Sequence, residues 1–419
     1  MDSEKRQFEL LKKISFIRTS GSKEEIKALN ILKNELDSLG LKSKIEKFKV
    51  MDYEIKKAKL EVLEPFYKEI KVEGIGLTGN TSEEGLVGEL QYVEDADEIN
   101  LVNAKGKIVL VNGYMRAKKF KDIVEAGAIG YIVFSGKFMD EENKTDIAKN
   151  AIREKHLEFG KIPGVTIRVK DALEIVKLGT TKVRITLKQE EGNKDSHNLI
   201  TEVKGTTYPE EVIAFMAHYD SVPFSTGAYD NGAGSVNIME ILRHYLENPP
   251  KRTLRFIWFG SEEVGLLGSK AYVNQHEKEL KNIKFGINID LGGTILGQDK
   301  AKVIAHESLC HMLDYYAKEV AFPISVTQEI YSSDCIPFSD KGIPVINFLR
   351  VGAPGAIEIH NRFDIIENIS SKTLYKSMNF IKNFSEKIIN ACVLPIPREI
   401  PEKLVKEIDI YLMKNLLKK

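Results

Sequence analysis

Beyond His197 the chain alternates apolar runs with amphipathic, helix-length segments, and this alternation constrains the fold more than any other feature. Four runs, at 212–216, 254–259, 285–289 and 344–348, are largely apolar. A strand with one face in water alternates polar and apolar residues, whereas a strand covered on both faces need not. Residues 234–246, after the first run, and 309–320, before the last, carry helical periodicity. Strand, helix, strand, helix is the grammar of an α/β fold. The reading is an open, mostly parallel sheet flanked by helices.

The segment before it has two parts. Residues 4–39 read as two amphipathic helices, with stripes Phe8, Leu11, Ile14, Ile17 and Ile26, Leu29, Leu32, Leu36. Residues 19–22 form the turn between them. Ser22 is the expected N-cap with Glu25 three residues on, and Gly40 is the stop. From Met51 the texture becomes short β-rich runs, at 60–63, 88–93, 107–111, 130–134 and 183–187, with a short helix at 120–125. This predicts a smaller mixed α/β domain at 53–192, inserted into a catalytic domain of 1–52 plus 193–394. Residues 192–196 read as a polar exit linker. Residues 395–419 read as an amphipathic, Lys-rich tail, docked on the surface or frayed.

Charge and cysteine usage exclude several classes. Lys+Arg and Asp+Glu both number 61, so the chain lacks the basic excess of a nucleic-acid binder. No apolar stretch approaches the roughly 18 residues of a membrane span, and residues 1–13 carry no apolar core of a secretory signal. Cys310, Cys335 and Cys392 form no CxxC pair, which argues against a disulfide framework and a thiolate zinc site. The expectation is a cytoplasmic protein without nucleic-acid or membrane partners. An oligomer is left open.

In open α/β sheets ligands gather beyond the carboxyl ends of the strands. The first run leads into His218 and Asp220, the second into Glu262 and Glu263, and the third into Asp290. The last leads through a Gly/Pro loop to His360. Asp230 heads the helix after the first run. Histidine and carboxylate donors without thiolate suit catalytic zinc. Two dications about 3.5–4 Å apart need a bridging carboxylate, and Asp230 is the best placed. Glu262 and Glu263 are adjacent and diverge, so one coordinates while the other stays free as a general base. Asp220, two residues beyond His218, can accept the second imidazole N–H.

His218-x-Asp220, Asp230-Asn231-Gly232-Ala233-Gly234, Gly260-x-Glu262-Glu263-x-Gly265-Leu266-x-Gly268-Ser269, Asn288-x-Asp290 and His360 occur in this order. The set resembles the co-catalytic zinc aminopeptidases of the M28 type, over roughly 197–390 plus the N-terminal helices. Residues 104–111, 126–131 and 162–165 resemble the protease-associated (PA) domain inserted in many members. The resemblance implies one zinc on His218, Asp230 and Asp290, and a second on Asp230, Glu263 and His360. It implies Glu262 as the base and Asp220 as the partner of His218. Cobalt or manganese are possible substitutes. One position departs from the pattern. Many members carry Ser-Asp-His before Pro-Phe, where this chain has Ser333-Asp334-Cys335-Ile336-Pro337-Phe338. Cys335 reads as a small buried residue of the loop. Asp334 either faces the substrate's ammonium or caps a turn.

The implied activity is an exopeptidase acting on short peptides with a free N-terminus. A carboxypeptidase on the same scaffold needs a cation for the C-terminal carboxylate, and Arg350 and Arg362 are the arginines near the late loop. A catalytically silent peptide-binding relative is the other alternative, disfavoured by the intact Glu262–Glu263 pair. No Walker-type phosphate loop occurs.

Overall fold

The first apolar run becomes the strand Tyr208–His218, and its side chains divide by parity. Ile213, Phe215 and Ala217 enter one hydrophobic core, and Val212, Ala214 and Met216 enter another. A strand buried on both faces needs this apolar content at successive positions. The computed structural model describes residues 2–414. The chain forms two compact units, Met1–Val50 with Asp195–Lys419, and Met51–Lys194.

In the larger unit Arg252–Phe259 and Ile283–Ile289 flank Tyr208–His218, and Val345–Gly352 lies beyond Ile283–Ile289. These four strands are mutually parallel. Gly297–Ile304 runs antiparallel to Val345–Gly352 and pairs in parallel with Ile324–Gln328 at the edge. On the other side Leu199–Val203, the end of the strand Lys182–Val203, runs antiparallel to residues 254–258. The sequence reading missed Gly297–Ile304 and Ile324–Gln328. Gln298, Asp299, Lys300 and Lys302 interrupt the apolar pattern of the first.

Helices cover both faces. Ser3–Ile14, Lys23–Ser38, Ala233–Glu247 and Ser371–Ile389 contribute to the core of Phe215. Leu267–Gln275, Cys335–Asp340 and Glu402–Tyr411 contribute to the core of Met216. The chain thus leaves Tyr208–His218 over one face to reach Arg252–Phe259, then returns over the other to reach Ile283–Ile289. Strand order reverses at Tyr208–His218, and a crevice opens at such a switch point.

Three readings of the sequence need correction or sharpening. The first helix ends at Ile14, so Ile17 lies beyond it and is 43% exposed, and Ile26 faces outward at 40%. The buried stripes are instead Leu10, Leu11, Ile14 and Ala28, Leu29, Leu32, Leu36. Residues 192–196 are no linker but part of the strand Lys182–Val203. Asp195 is polar because it pairs with Lys47 at 2.8 Å and Lys49 at 2.6 Å, not because the backbone is loose. The tail is docked through residue 414, with Leu404, Ile408 and Leu412 packed in the core of Phe338.

The smaller unit has a parallel set of its own, Leu86–Tyr92, Ile108–Val111, Gly130–Ser135 and Gly164–Arg168. Antiparallel partners close both edges, residues 182–185 on one side and Glu73–Gly74 on the other. Ala117–Glu125 and Val169–Lys177 pack against it. No helix among the described residues is long and apolar enough to cross a membrane.

One buried imidazole makes this unit acid-sensitive. His156 stacks on Phe120 with ring centroids 6.1 Å apart, and its Nδ1 has no hydrogen-bond partner among the described residues. Burial, with a smaller push from Arg153, drives its pKa down to about 4. The neutral ring is favoured in the folded state, so the stability it supports is present above the unfolded pKa of about 6.5 and is lost as pH falls toward 4. His156→Phe is expected to flatten the decline in melting temperature of residues 51–194 between pH 6.5 and 4. Thermal melts across that range, with hydrogen exchange to locate the unit that opens, check this.

Candidate metal centre

His218 is the last residue of its strand, and its register partner Phe259 ends the neighbouring one. The turn 260–263 therefore emerges beside His218. Asp290 follows Ile283–Ile289 on the other flank. His360 arrives from the loop after Val345–Gly352, with a left-handed φ of 63°. Asp230 lies in the irregular turn Ala228–Gly232, ahead of the helix Ala233–Glu247.

The structure brings five of the sequence-predicted residues into two overlapping triads. His218, Asp230 and Asp290 form one, and Asp230, Glu263 and His360 the other. Within each triad the donor atoms all lie within 4.8 Å of one another. His218 Nε2 is 3.2 Å from Asp230 Oδ1 and 3.5 Å from Asp290 Oδ1. His360 Nε2 is 3.3 Å from Asp230 Oδ2 and 3.0 Å from Glu263 Oε2. Asp230 thus turns one oxygen to each histidine.

The remaining two predicted residues flank the cage. Asp220 Oδ1 lies 3.3 Å from His218 Nδ1, outside good hydrogen-bond geometry. Its stronger bonds go elsewhere. Oδ1 accepts the backbone N–H of Glu262 at 3.0 Å, and Oδ2 accepts that of Glu263 at 3.2 Å. Asp220 therefore fixes the turn that carries both glutamates. Glu262 belongs to neither triad.

Local chemistry explains how Asp230 is held. Asn231 donates from Nδ2 to Ile289 O at 2.8 Å, and its Oδ1 accepts from Gly234 N at 2.9 Å and Leu291 N at 3.3 Å. One amide thus ties the Asp230 turn to both sides of Asp290. Gly234 must be glycine, because a Cβ there would stand 2.2 Å from Ile289 O. Asp364, which the sequence reading missed, accepts Tyr229 N at 2.7 Å and Asp230 N at 3.1 Å. Its one signal is position, an acid four residues beyond His360. Tyr331 was also missed. Burial first, then the charges of Asp290 and Asp230, raises its hydroxyl pKa.

The cage is short of positive charge. Burial pushes the Glu262 carboxyl well above its ordinary range, Glu263 and Asp334 up to about 7, and Asp290 upward. Asp230 goes the other way. His218 and His360 hold it below its ordinary value against the cost of burial. Buried Asp290 Oδ1 and Glu263 Oε1 have no hydrogen-bond partner among the described residues. Buried acceptors without donors call for an explanation, and a cation supplies it. Imidazole and carboxylate donors in threes, without thiolate, fit zinc with positions left for water and substrate. Cys335 heads the helix Cys335–Asp340 and is buried in the core with Phe338. Asp334 is fully buried, and its side chain does not cap that helix.

The model of peptidase family M28 matches residues 198–385, and that of the PA domain matches 77–175. Aminopeptidase YwaD of Bacillus subtilis is 31% identical over 389 residues, 87% of this chain and 79% of the relative. Carboxypeptidase Q of Bos taurus is 29% identical over 81% of this chain and 73% of the relative. The solved structure of BSAP, a zinc aminopeptidase from Bacillus subtilis, superposes with a TM-score of 0.76 at 26% identity, covering 96% of this chain and 98% of that one. The chain belongs to peptidase family M28.

Proposed function

We propose that the chain is a zinc aminopeptidase that releases residues from the N-terminus of short peptides, with two zinc ions in the cage. The observation that carries the two-ion reading is the divided carboxylate of Asp230, one oxygen toward His218 and the other toward His360. His218, Asp230 and Asp290 would hold one ion, and Asp230, Glu263 and His360 the other. Cobalt and manganese suit the same donors. A reducing, cytoplasmic setting suits three unpaired cysteines.

Zinc at these positions supplies Lewis acidity toward a carbonyl oxygen and lowers the pKa of water. The residues do the rest. Glu262, outside both triads and held by its backbone to Asp220, is free to take a proton from the attacking water and return it to the leaving amine. The choice of peptide end follows from charge. Asp230, Glu263 and Asp290 line the cage, and Asp220, Glu262 and Asp334 stand around it, so acidic groups outnumber the two imidazoles there. A free α-ammonium is drawn there, and a C-terminal carboxylate is repelled. Arg350 does not reverse this. It donates to Asp299 Oδ2 at 2.6 Å and Thr294 O at 2.9 Å, so it is committed within the fold.

Incubation with paired free and N-acetylated peptides, read by mass, is expected to show stepwise N-terminal loss that acetylation blocks. Loss from the C-terminus indifferent to acetylation would favour the carboxypeptidase reading instead. Glu262→Gln should retain wild-type zinc content and lose at least about 10²-fold in kcat. Near-wild-type turnover would remove Glu262 from its role. Asp230→Ala should fail to retain two zinc ions. Because ligand binding to the folded state raises stability, chelation is expected to lower the melting temperature of the wild type and scarcely alter that of Asp230→Ala. Two tightly held zinc ions in that variant would overturn the bridging assignment.

A further inference from the structure

The turn between the first two helices reaches both loops of the metal centre. Arg18 is fully buried, yet among the described residues no carboxylate is hydrogen-bonded to it. Its guanidinium donates to backbone carbonyls alone. Those of Tyr219, Thr226 and Gly227 belong to the loop joining His218 to Asp230, with Gly227 O at 2.8 Å. Ile14 O at 3.0 Å and Phe16 O at 3.1 Å anchor the other side. The Arg18 backbone adds two bonds, its N–H to Ser221 Oγ and its carbonyl from Ser221 N. Gly227 has a left-handed φ of 58°, and a Cβ there would stand 2.9 Å from Arg18 Nη1. The loop is wrapped directly on the guanidinium. Five donors in a planar fork suit such a task, and the three donors of a lysine do not.

A second arm starts two residues on. Ser20 Oγ bonds Ser261 Oγ at 2.5 Å, and Ser261 Oγ bonds Ser196 Oγ at 2.7 Å. Ser196 Oγ donates to Glu25 Oε1 at 2.8 Å, and Glu25 Oε2 accepts Gly21 N–H at 2.9 Å. Ser22 caps the helix through Glu25 N–H at 3.0 Å, as the sequence suggests, but the Glu25 carboxylate serves this serine chain rather than the Ser22 N–H. Ser261 has a left-handed φ of 57°, immediately before Glu262. A serine holds that conformation only where its surroundings over-determine it. Gly260 is pressed on the same network, for a Cβ there would stand 2.6 Å from Ser196 Oγ and 2.8 Å from Glu25 Oε1.

We propose that the turn from Arg18 to Glu25 is a two-armed brace of the centre. Arg18 positions Asp230 through the loop 219–227, and Glu25 positions Glu262 and Glu263 through Ser261. The proposal rests on reading those three acids as ligands and base. Arg18 and Glu25 touch no reacting atom, so both are positioning residues.

The test separates the arms in the full-length protein, with zinc affinity read by competition against a chelating dye and folding checked by circular dichroism. Arg18→Lys keeps the charge and loses the fork. It is expected to fold and to bind zinc at least tenfold more weakly. Glu25→Ala is expected to lower kcat at least tenfold with KM kept and to weaken zinc binding less than Arg18→Lys does, with Glu25→Gln restoring most of the kcat loss. A merely structural role would lower the melting temperature of these variants and leave zinc affinity and kcat unmoved, which overturns the brace. Ser221→Ala and Ser20→Ala each remove one bond of one arm and serve if the larger changes prevent folding. The same directions at smaller size support the proposal, and no change in either overturns it. A wild-type protein that neither binds zinc nor cleaves peptides overturns the reading of the centre itself, and the brace with it.

Discussion

The concentration of carboxylates at one end of a parallel sheet is the condition around which the larger unit is organised. Like charges this close repel, and burial makes each more expensive. The protein meets the cost with fixed donors rather than with solvent. Backbone N–H groups of Glu262 and Glu263 serve Asp220, and those of Tyr229 and Asp230 serve Asp364. Two imidazoles face Asp230. What stays unmet, above all Asp290 Oδ1 and Glu263 Oε1, is where a cation is required. The order in which the strands lie follows the same logic. Only at the reversal point can ends of neighbouring parallel strands deliver acids from both sides to one volume.

Side-chain identity alone would not produce this cage. His218 and Asp290 stand on rigid strand ends, but Asp230, Glu262 and Glu263 stand on turns whose backbones are irregular. Each turn is secured by bonds that reach far along the sequence. Asn231 fastens one turn to Ile289 and Leu291, and Asp364 fastens it again from beyond His360. Sites assembled this way owe their accuracy to the groups behind the ligands as much as to the ligands.

What was legible in the sequence was whatever is local. The four parallel strands announce themselves as apolar runs, and the acids and histidines that follow them are one reading step away. The structure brings His218, Asp230 and Asp290 within coordinating distance of one another, and likewise Asp230, Glu263 and His360. What was illegible depends on distant partners. Nothing near Arg18 marks it as the residue that binds the carbonyls of Tyr219 and Gly227. Glu25 looked like a capping residue because its helix-end context is complete without Ser196 and Ser261. Residues 192–196 looked loose because charges that pair across strands resemble charges facing water. Gly297–Ile304 hid for a related reason. Its Asp299 is polar yet buried, accepting bonds from Arg350 and Ser377.

The larger unit is assembled from two stretches of chain, Met1–Val50 and Asp195–Lys419. Its N-terminal helix packs against partners made much later. Gln7 bonds Asn237, Arg6 pairs with Glu240, and Ser371 bonds Glu4. These contacts span very long sequence separations, and such contacts close slowly because chain entropy is spent before they form. Residues 51–194 have a parallel sheet and cores of their own, with nearer partners. Emerging from synthesis between the two stretches, they can order first and shorten the effective loop between Val50 and Asp195. The first helices must wait as an unpaired amphipathic segment until the sheet that receives them exists. A peptidase built this way cannot complete its metal centre early, since the turn at Arg18 waits for the loop 219–227 that it grips, and the centre itself waits for His360, which is made later still.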